Sequence, residues 1–335
     1  MKLDDGTDDP QWLQWRAAGI TATDVADARA GTYGGSYSVV ARKLGLEVVE
    51  RNAEMQRGHD WEETIADAVH VLTGWHVVGE ETMCAHADDG RWRATVDGFL
   101  AEQAEVSIDD VQAVLEIKTR GVGVRPNRDR WRSQIQWQLL VTNCKRALLA
   151  EAVIDDDTNE CRGVPRLEWI DADPDEQAQL VDLAETIYAH VQAGTLPDPD
   201  TPSALPSVKQ VYGSADTDAD AVDLTDLAED VARFDEIKAA LKAVSDEKDL
   251  LEARIRNTIG EATSGALDGY RVSLSKPAMT LTRDAEAELL DAHPEYAMTV
   301  LDRKAVQAAD KDLYDVFRKP VGARRLTVTH KGDKT

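Results

Sequence analysis

The sequence predicts an α/β chain of the α+β kind, and three observations carry that prediction. Residues 54–73 place Trp61, Ile65, Ala68, Val69 and Leu72 at helical spacing, an amphipathic helix that Gly74 stops. Short runs rich in apolar residues follow at Trp75–Val78, Trp92–Leu100 and Ala113–Thr119 and read as strands. An Asp-Asp turn at 109–110 separates the last two, which predicts a hairpin.

The other elements take their places around these. Residues 11–29 read as helical, with Trp12, Trp15 and Arg16 leading into Ile20-Thr21-Ala22-Thr23-Asp24, where Thr21 or Thr23 caps the helix that follows. Gly31–Tyr37 is a glycine-rich loop, and residues 36–48 form a short helix. A basic loop after Thr119 leads to a helix over about 130–142, strands at 146–154 and Pro165–Ile170, and a helix at 174–193. Pro, Asp, Ser and Thr crowd the stretch Pro197–Asp220, a linker or long loop. Beyond it Leu224, Leu227, Val231, Phe234, Leu241, Val244, Leu251 and Ile255 repeat at spacings of three, four and seven. That is a long helix over 224–259 with a heptad-like seam. It suits coiled-coil pairing, or packing on its own domain or on a neighbouring subunit. Short strands at Tyr270–Ser275 and Leu326–Thr329 and a helix near 283–292 complete the tail. The expected organisation is a domain over 1–196, a linker over 197–222 and a carboxy-terminal extension over 223–335.

Composition bounds the function. The 335 residues are 42% hydrophobic and 30% charged, as in a globular protein, and no apolar run is long enough to span a bilayer. The start MKLDDGTDDP is too acidic and polar for a signal peptide. Cys84, Cys144 and Cys161 form no CxxC, which excludes a zinc or four-cysteine iron–sulfur site and suits a reducing compartment; a cytoplasmic protein is expected. The net charge of −25 speaks against nucleic acid only as a sum. Between 118 and 146 lie Lys118, Arg120, Arg125, Arg128, Arg130, Arg132, Lys145 and Arg146 against the single acid Asp129, a segment of net charge +7. Such a strip either holds a phosphate backbone or is a solvated charged loop.

Chemistry concentrates at Val96-Asp97-Gly98 and Leu115-Glu116-Ile117-Lys118, acids set within apolar strand patterns. Alternation puts Glu116 and Lys118 on one strand face. Two carboxylates on adjacent buried strands call for a cation. Mg²⁺ takes oxygen ligands, which Asp97, Glu116 and the Ile117 carbonyl can supply, with Lys118 beside the attacking water. Taken bare, the short and frequent pattern fits better an exposed Glu116–Lys118 ion pair with Asp97 in a turn. Two further features shift the balance. Glu62 follows Arg57-Gly58 on the preceding helix, and Gln134 and Gln138 lie one turn apart on the helix after Lys118, a glutamine face that core packing does not explain.

The succession Arg57-Gly58-His59-Asp60-Trp61-Glu62, Ala94-Thr95-Val96-Asp97-Gly98, Leu115-Glu116-Ile117-Lys118-Thr119 and Gln134-Ile135-Gln136-Trp137-Gln138-Leu139, preceded by Trp12…Arg16…Ile20-Thr21-Ala22-Thr23, resembles the PD-(D/E)XK nuclease superfamily. More closely it resembles the YqaJ-type viral recombinase family, which includes lambda exonuclease. The likeness covers roughly residues 11–150. It implies a restriction-endonuclease-like core, a central mixed sheet flanked by helices, with a helical and short-strand extension. It implies Asp97 and Glu116 as metal-binding acids together with Ile117 and Glu62, Lys118 as the catalytic lysine and Gln134 as the active-site glutamine. Arg16 and Thr23, joined by Thr95, match a pocket for a 5′-phosphate. Thr23 stands where serine is usual, and Arg120 and Arg125 both match the arginine after the ExK strand; Arg128 belongs to the same DNA-facing segment. The resemblance implies Mg²⁺ (or Mn²⁺), double-stranded DNA ends as substrate, a single-strand annealing protein as partner and a ring of three subunits.

Three functions therefore compete: an exonuclease digesting one strand from a 5′ end to leave a 3′ overhang for recombination, an endonuclease of restriction or repair type on the same core, and a non-enzymatic DNA-binding scaffold. The set Asp97, Glu116 and Lys118 disfavours the last, because a binding module has no use for it.

Overall fold

Thr21, one of the two expected cap positions, divides the helical stretch 11–29. In the computed structural model, which describes residues 10–48, 52–107, 110–214 and 220–274, α1 (Pro10–Ala17) is followed by a two-residue strand β1 (Ile20–Thr21) and by α2 (Ala22–Ala30). The Thr21 side chain accepts from the Asp24 backbone N–H while the Asp24 carboxylate accepts from Thr21 N–H at 2.9 Å, a reciprocal capping box. Thr21, not Thr23, is thus the cap. α3 (Gly35–Lys43) and α4 (Ala53–Thr73) come next. Asn52 caps α4 by accepting from Met55 N–H, and Gly74 ends it in a left-handed conformation that residues with a Cβ rarely adopt.

The run Trp92–Leu100, expected as one strand, is two. β4 (Trp92–Val96) and β5 (Gly98–Ala101) belong to different sheets, and Asp97 is the single residue between them. β4 is central in a three-stranded sheet, parallel to β1 and antiparallel to β3 (Thr82–Ala85). β5 lies in a mixed sheet between β2 (His76–Val78) and β6 (Ala113–Gly121), antiparallel to both. β6 runs parallel to β7 (Arg146–Asp155), as expected when α5 (Arg128–Thr142) makes the crossover between them. β8 (Glu160–Cys161) and β9 (Arg166–Asp171) both pair antiparallel with β7, and α6 (Pro174–Ala193) follows.

Alternation along β6 decides what packs where. Leu115 and Ile117 face α4, joining Ile65, Val69, Leu100 and Leu148. Val114 faces α5 with Ile135, Leu139 and Leu149. A mixed sheet flanked by helices results, each fully buried Leu or Ile contributing about 1.5–3 kcal/mol. A further core gathers α2, α3, β4, α5 and α6 around Val25, Val39, Trp92, Trp137 and Leu180.

Contacts divide the chain into two compact units, Met1–Gly213 and Ser214–Thr335. Part of the stretch whose composition suggests a linker folds onto the first unit. Thr201 and Ser203 hydroxyls donate to the Gly31 carbonyl at 2.9 and 2.8 Å, and α7 (Leu205–Val211) follows a short 3-10 turn whose Ala204 packs with Tyr37 and Ala41 of α3. In the second unit a 3-10 turn (Thr225–Leu227) precedes α8 (Ala228–Ile259), and a hairpin of β10 (Ser264–Leu267) and β11 (Tyr270–Ser273) follows. Leu241, Val244, Leu251 and Ile255 of the α8 seam are exposed. The expected helix near 283–292, the strand Leu326–Thr329 and turn residue Asp109 lie outside the described residues. Among the described residues no helix is long and apolar enough to cross a membrane.

Candidate active site

The pairing of β5 with β6 stops at Gly98 and Leu115, so beyond Leu115 the β6 backbone loses its neighbour on that edge. Asp97 fills the gap: its Oδ2 accepts from Ile117 N–H at 2.6 Å. A residue's own N–H and C=O point to the same edge of a strand, so the Ile117 carbonyl also faces the Asp97 side. Gly98 follows because a Cβ there would stand 2.8 Å from Val77 Cγ1 of β2. The Asp-Gly pair thus joins a carboxylate to the close approach of a neighbouring strand.

Glu116 and Lys118 share the α5 face of β6, as alternation predicts, but not as an exposed pair. Glu116 is fully buried, and Lys118 Nζ stands 2.5 Å from its Oε1. Gln134 Nε2 donates to Oε1 and Gln138 Nε2 to Oε2, each at 2.6 Å. Gln138 Nε2 also reaches the Thr95 carbonyl at 3.1 Å, which fastens α5 to β4. Gln136 points elsewhere, accepting from Asp173 N–H at 2.8 Å ahead of α6. The alternating glutamines of α5 therefore serve two ends, and the role of Gln138 equals that of Gln134 in holding Glu116.

Electrostatics mark the site as short of positive charge. Burial raises the Asp97 pKa well above the ordinary carboxylate range, the Glu116 charge raises it further, and Lys118 only partly offsets both. Glu62 on α4 is also raised, by burial first and then by Glu81, against the pull of His59 and Lys118. Asp97, Glu116 and the Ile117 carbonyl form an all-oxygen donor set with uncompensated carboxylate charge, which fits a hard divalent cation such as Mg²⁺.

The residues expected to form an anion pocket lie along β4 and α2. The parallel register Thr21↔Arg93 brings the start of α2 beside Thr95. The Thr95 hydroxyl is buried without a hydrogen-bond partner among the described residues. Arg16 is half-buried, and its carbonyl accepts from Lys43 Nζ at 2.7 Å. Burial lowers its guanidinium pKa against the opposing pull of Asp24. Thr23 is the second residue of α2, beyond the cap.

The basic segment is not an open strip of positive charge. Arg120 Nε lies 2.6 Å from Glu151, and Arg128 pairs with both Glu151 and Glu168. Arg130 reaches Asp27 at 2.8 Å, Arg132 reaches Glu176 at 2.6 Å, and Arg146 stacks over Trp169. These acids lie outside the segment in sequence, so the local sum of +7 overstates the free charge. Arg125 is exposed and forms no ion pair among the described residues. Arg120, Arg128 and Arg166 line one cleft with Glu151.

Sequence reasoning did not single out His59 or Glu81. His59 precedes Glu62 by three residues, a helical spacing visible in Arg57-Gly58-His59-Asp60-Trp61-Glu62. Glu81 carries no local signal, because only the turn between β2 and β3 brings it to α4.

Residues 11–145 match the family model of the YqaJ-like viral recombinase domain. Among solved structures, the chain is similar to an alkaline exonuclease from Laribacter hongkongensis, at 19% identity over 56% of this chain and 94% of that one, TM-score 0.43. It is similar to a phage-related exonuclease from Haemophilus somnus 129PT, at 13% identity over 54% and 98%, TM-score 0.41. A putative exonuclease from Eubacterium rectale aligns at 12% identity over 68% and 98%, TM-score 0.42. No curated protein matches.

Proposed function

We propose that this chain, whose residues 11–145 match the YqaJ-like viral recombinase domain, is a divalent-metal-dependent deoxyribonuclease acting on the ends of duplex DNA. One observation carries the reading. A buried carboxylate, Glu116, is held by Lys118, Gln134 and Gln138 beside a second carboxylate, Asp97, whose proton affinity is raised by burial and by the Glu116 charge.

Asp97, Glu116 and the Ile117 carbonyl would hold Mg²⁺ or Mn²⁺, and such an ion supplies Lewis acidity to a phosphoryl oxygen and acidity to a water. The chain's own residues do the rest. The two glutamine amides fix the Glu116 carboxylate in one rotamer, so its oxygens need no reorganisation during the reaction. The Lys118 ammonium, held at the same carboxylate, orients the attacking water and stabilises negative charge as that water adds to phosphorus and the leaving oxygen departs. Glu62, which lies in the field of both Lys118 and Glu116, would assist either the ion or the water.

The finer reading is digestion of one strand from its 5′ end, leaving a 3′ overhang for an annealing protein. Arg16, Thr23 and the unpartnered Thr95 hydroxyl support it, because a guanidinium, a hydroxyl and N–H groups at a helix start suit a terminal phosphate. Duplexes with 5′-phosphates are expected to be digested faster than those with 5′-hydroxyls, and Arg16→Ala is expected to erase the difference; equal rates on both ends discard the pocket. A closed ring of three subunits would make digestion processive, with the exposed seam of α8 as one available contact surface.

Incubating linear and closed circular duplex DNA with Mg²⁺ and with EDTA, then mapping which strand is lost, tests the function. Loss of linear DNA alone, abolished by EDTA, is the expected result. Cutting of closed circles would assign an endonuclease, and no cleavage in Mg²⁺ or Mn²⁺ would leave a binding protein.

The free charge at Arg125 yields a separate expectation. Arg125→Ala should weaken DNA binding about equally for all sequences and lower the salt dependence by about one ion. Binding titrations at several salt concentrations measure both. An unchanged slope would make Arg125 a solvated side chain only.

A further inference from the structure

We propose that His59, Glu62 and Glu81 form a second cation site, suited to a divalent first-row transition ion, beside the Asp97–Glu116 cluster. The proposal goes beyond the nuclease reading and does not depend on it.

His59 and Glu62 are three apart on α4 and therefore share a face one turn apart. Glu81 arrives from the turn between β2 and β3. His59 Nδ1 stands 3.9 Å from Glu62 Oε2 and 4.0 Å from Glu81 Oε1. The ligand atoms of the three residues all lie within 4.8 Å of one another. At these separations the imidazole is too far away to hydrogen-bond either carboxylate. Bonds of about 2.0–2.2 Å from nitrogen and oxygen to a metal let two ligand atoms on one ion stand up to about 4.4 Å apart. The two imidazole–carboxylate separations fall within that reach, so an ion can lie between His59 and either glutamate.

The surroundings agree. Glu62 and Glu81 have no Arg or Lys ion pair among the described residues. Several other part-buried acids of the same unit are matched: Asp24 has Lys43 at 2.6 Å, Asp27 has Arg130 at 2.8 Å, Asp89 has Arg91 at 2.6 Å and Glu151 has Arg120 at 2.6 Å. Here, among the described residues, two carboxylates gather without such a partner. The three side chains are between 35 and 42% exposed, so an ion can enter and keep solvent ligands.

The donor set indicates the ion. Two carboxylates and one imidazole are harder than a thiolate site and softer than the all-oxygen set at Asp97 and Glu116. Mg²⁺ favours oxygen ligands, whereas ions from Mn²⁺ to Zn²⁺ accept imidazole as well. Glu62 is common to both neighbourhoods, since it also feels Lys118 and Glu116. An ion on His59, Glu62 and Glu81 would hold Glu62 at the α4 surface and cancel its charge toward Asp97 and Glu116. The second site would thereby modulate the first.

Mn²⁺ is a suitable probe, with the whole chain in a large excess of Mg²⁺ that fills oxygen-only sites. Electron paramagnetic resonance of free Mn²⁺ then reads what the protein retains, and no cleavage is involved, so failure of the nuclease reading leaves the result intact. About one Mn²⁺ per wild-type chain is expected to resist Mg²⁺. His59→Ala and Glu81→Gln should each weaken that binding at least about tenfold, with an unchanged circular dichroism spectrum because both side chains lie at the surface. Asp97→Asn should retain it. Mn²⁺ fully displaced by Mg²⁺ in the wild type, or wild-type binding in either folded variant, overturns the site. Loss in Asp97→Asn with retention in the other two assigns the ion to the Asp97–Glu116 cluster and likewise overturns it.

Discussion

Asp97→Asn is expected to lower DNA cleavage by about a thousandfold or more, equivalent to ~4 kcal/mol of barrier, while leaving the metal-free fold at least as stable as the wild type. The asparagine oxygen still accepts the Ile117 N–H, so the join between β4 and β6 survives. What disappears is a negative charge beside Glu116. The same substitution predicts a change in pH dependence. The Asp97 pKa is raised in the folded protein, by burial and then by Glu116. A group raised on folding adds stability that is present below its unfolded pKa and lost as pH rises through its folded pKa. Without metal the wild type should therefore lose this contribution on going from acid toward neutral pH, and Asp97→Asn should not. Mg²⁺ should restore wild-type stability at the upper end only, since it competes with the proton for the same carboxylate. Turnover near the wild-type rate would end the assignment of Asp97. A pH–melting profile shared by the two proteins would show its charge to be compensated by other means.

The largest loss of stability is expected from Asp24→Ala. Asp24 and Lys43 form an ion pair at 2.6 Å with both side chains nearly buried. The same carboxylate accepts from the Thr21 hydroxyl at 2.7 Å and from Thr21 N–H at 2.9 Å. Removing one member of a buried pair strands the other charge and costs about 3–5 kcal/mol, measurable by urea unfolding. Burial by itself raises the Asp24 pKa, but the charges of Lys43 and Arg16 outweigh it, and the net shift is downward. The contribution is thus present above the unfolded pKa and lost as pH falls through the folded one, opposite in sign to Asp97. A loss below 1 kcal/mol would mean that Lys43 finds another partner.

Much of this architecture is legible in the residues. The period of α4, the caps at Thr21 and Gly74 and the glutamine face of α5 all follow from local chemistry, and the pairing of Glu116 with Lys118 follows from strand alternation. The burial of that pair is not legible, because it depends on which helix covers the face. The division of Trp92–Leu100 is hidden for a different reason. Both halves are extended and apolar, no proline or polar run interrupts them, and a change of sheet leaves the strand period unbroken. β3 escapes notice because Thr82–Ala85 is short and only half-buried. The acids that neutralise the basic segment come from distant positions, Asp27 on α2 and Glu151 on β7, so a local charge sum misjudges it. Glu81 meets His59 only through the turn between β2 and β3.

The one-residue passage from β4 to β5 also bears on how this chain can change length. The loop from β5 to β6 and the loop from β6 to α5 can gain or lose residues at the surface without moving either strand. Asp97 has no such slack. One sheet fixes Val96 and the other fixes Gly98, which is in register with Leu115 one residue before Glu116. An inserted or deleted residue there would turn every side chain of β5 to the opposite face and carry the carboxylate away from Glu116. Among related sequences, variation in length should therefore collect on either side of this join and be absent from it, whatever becomes of the residues around it.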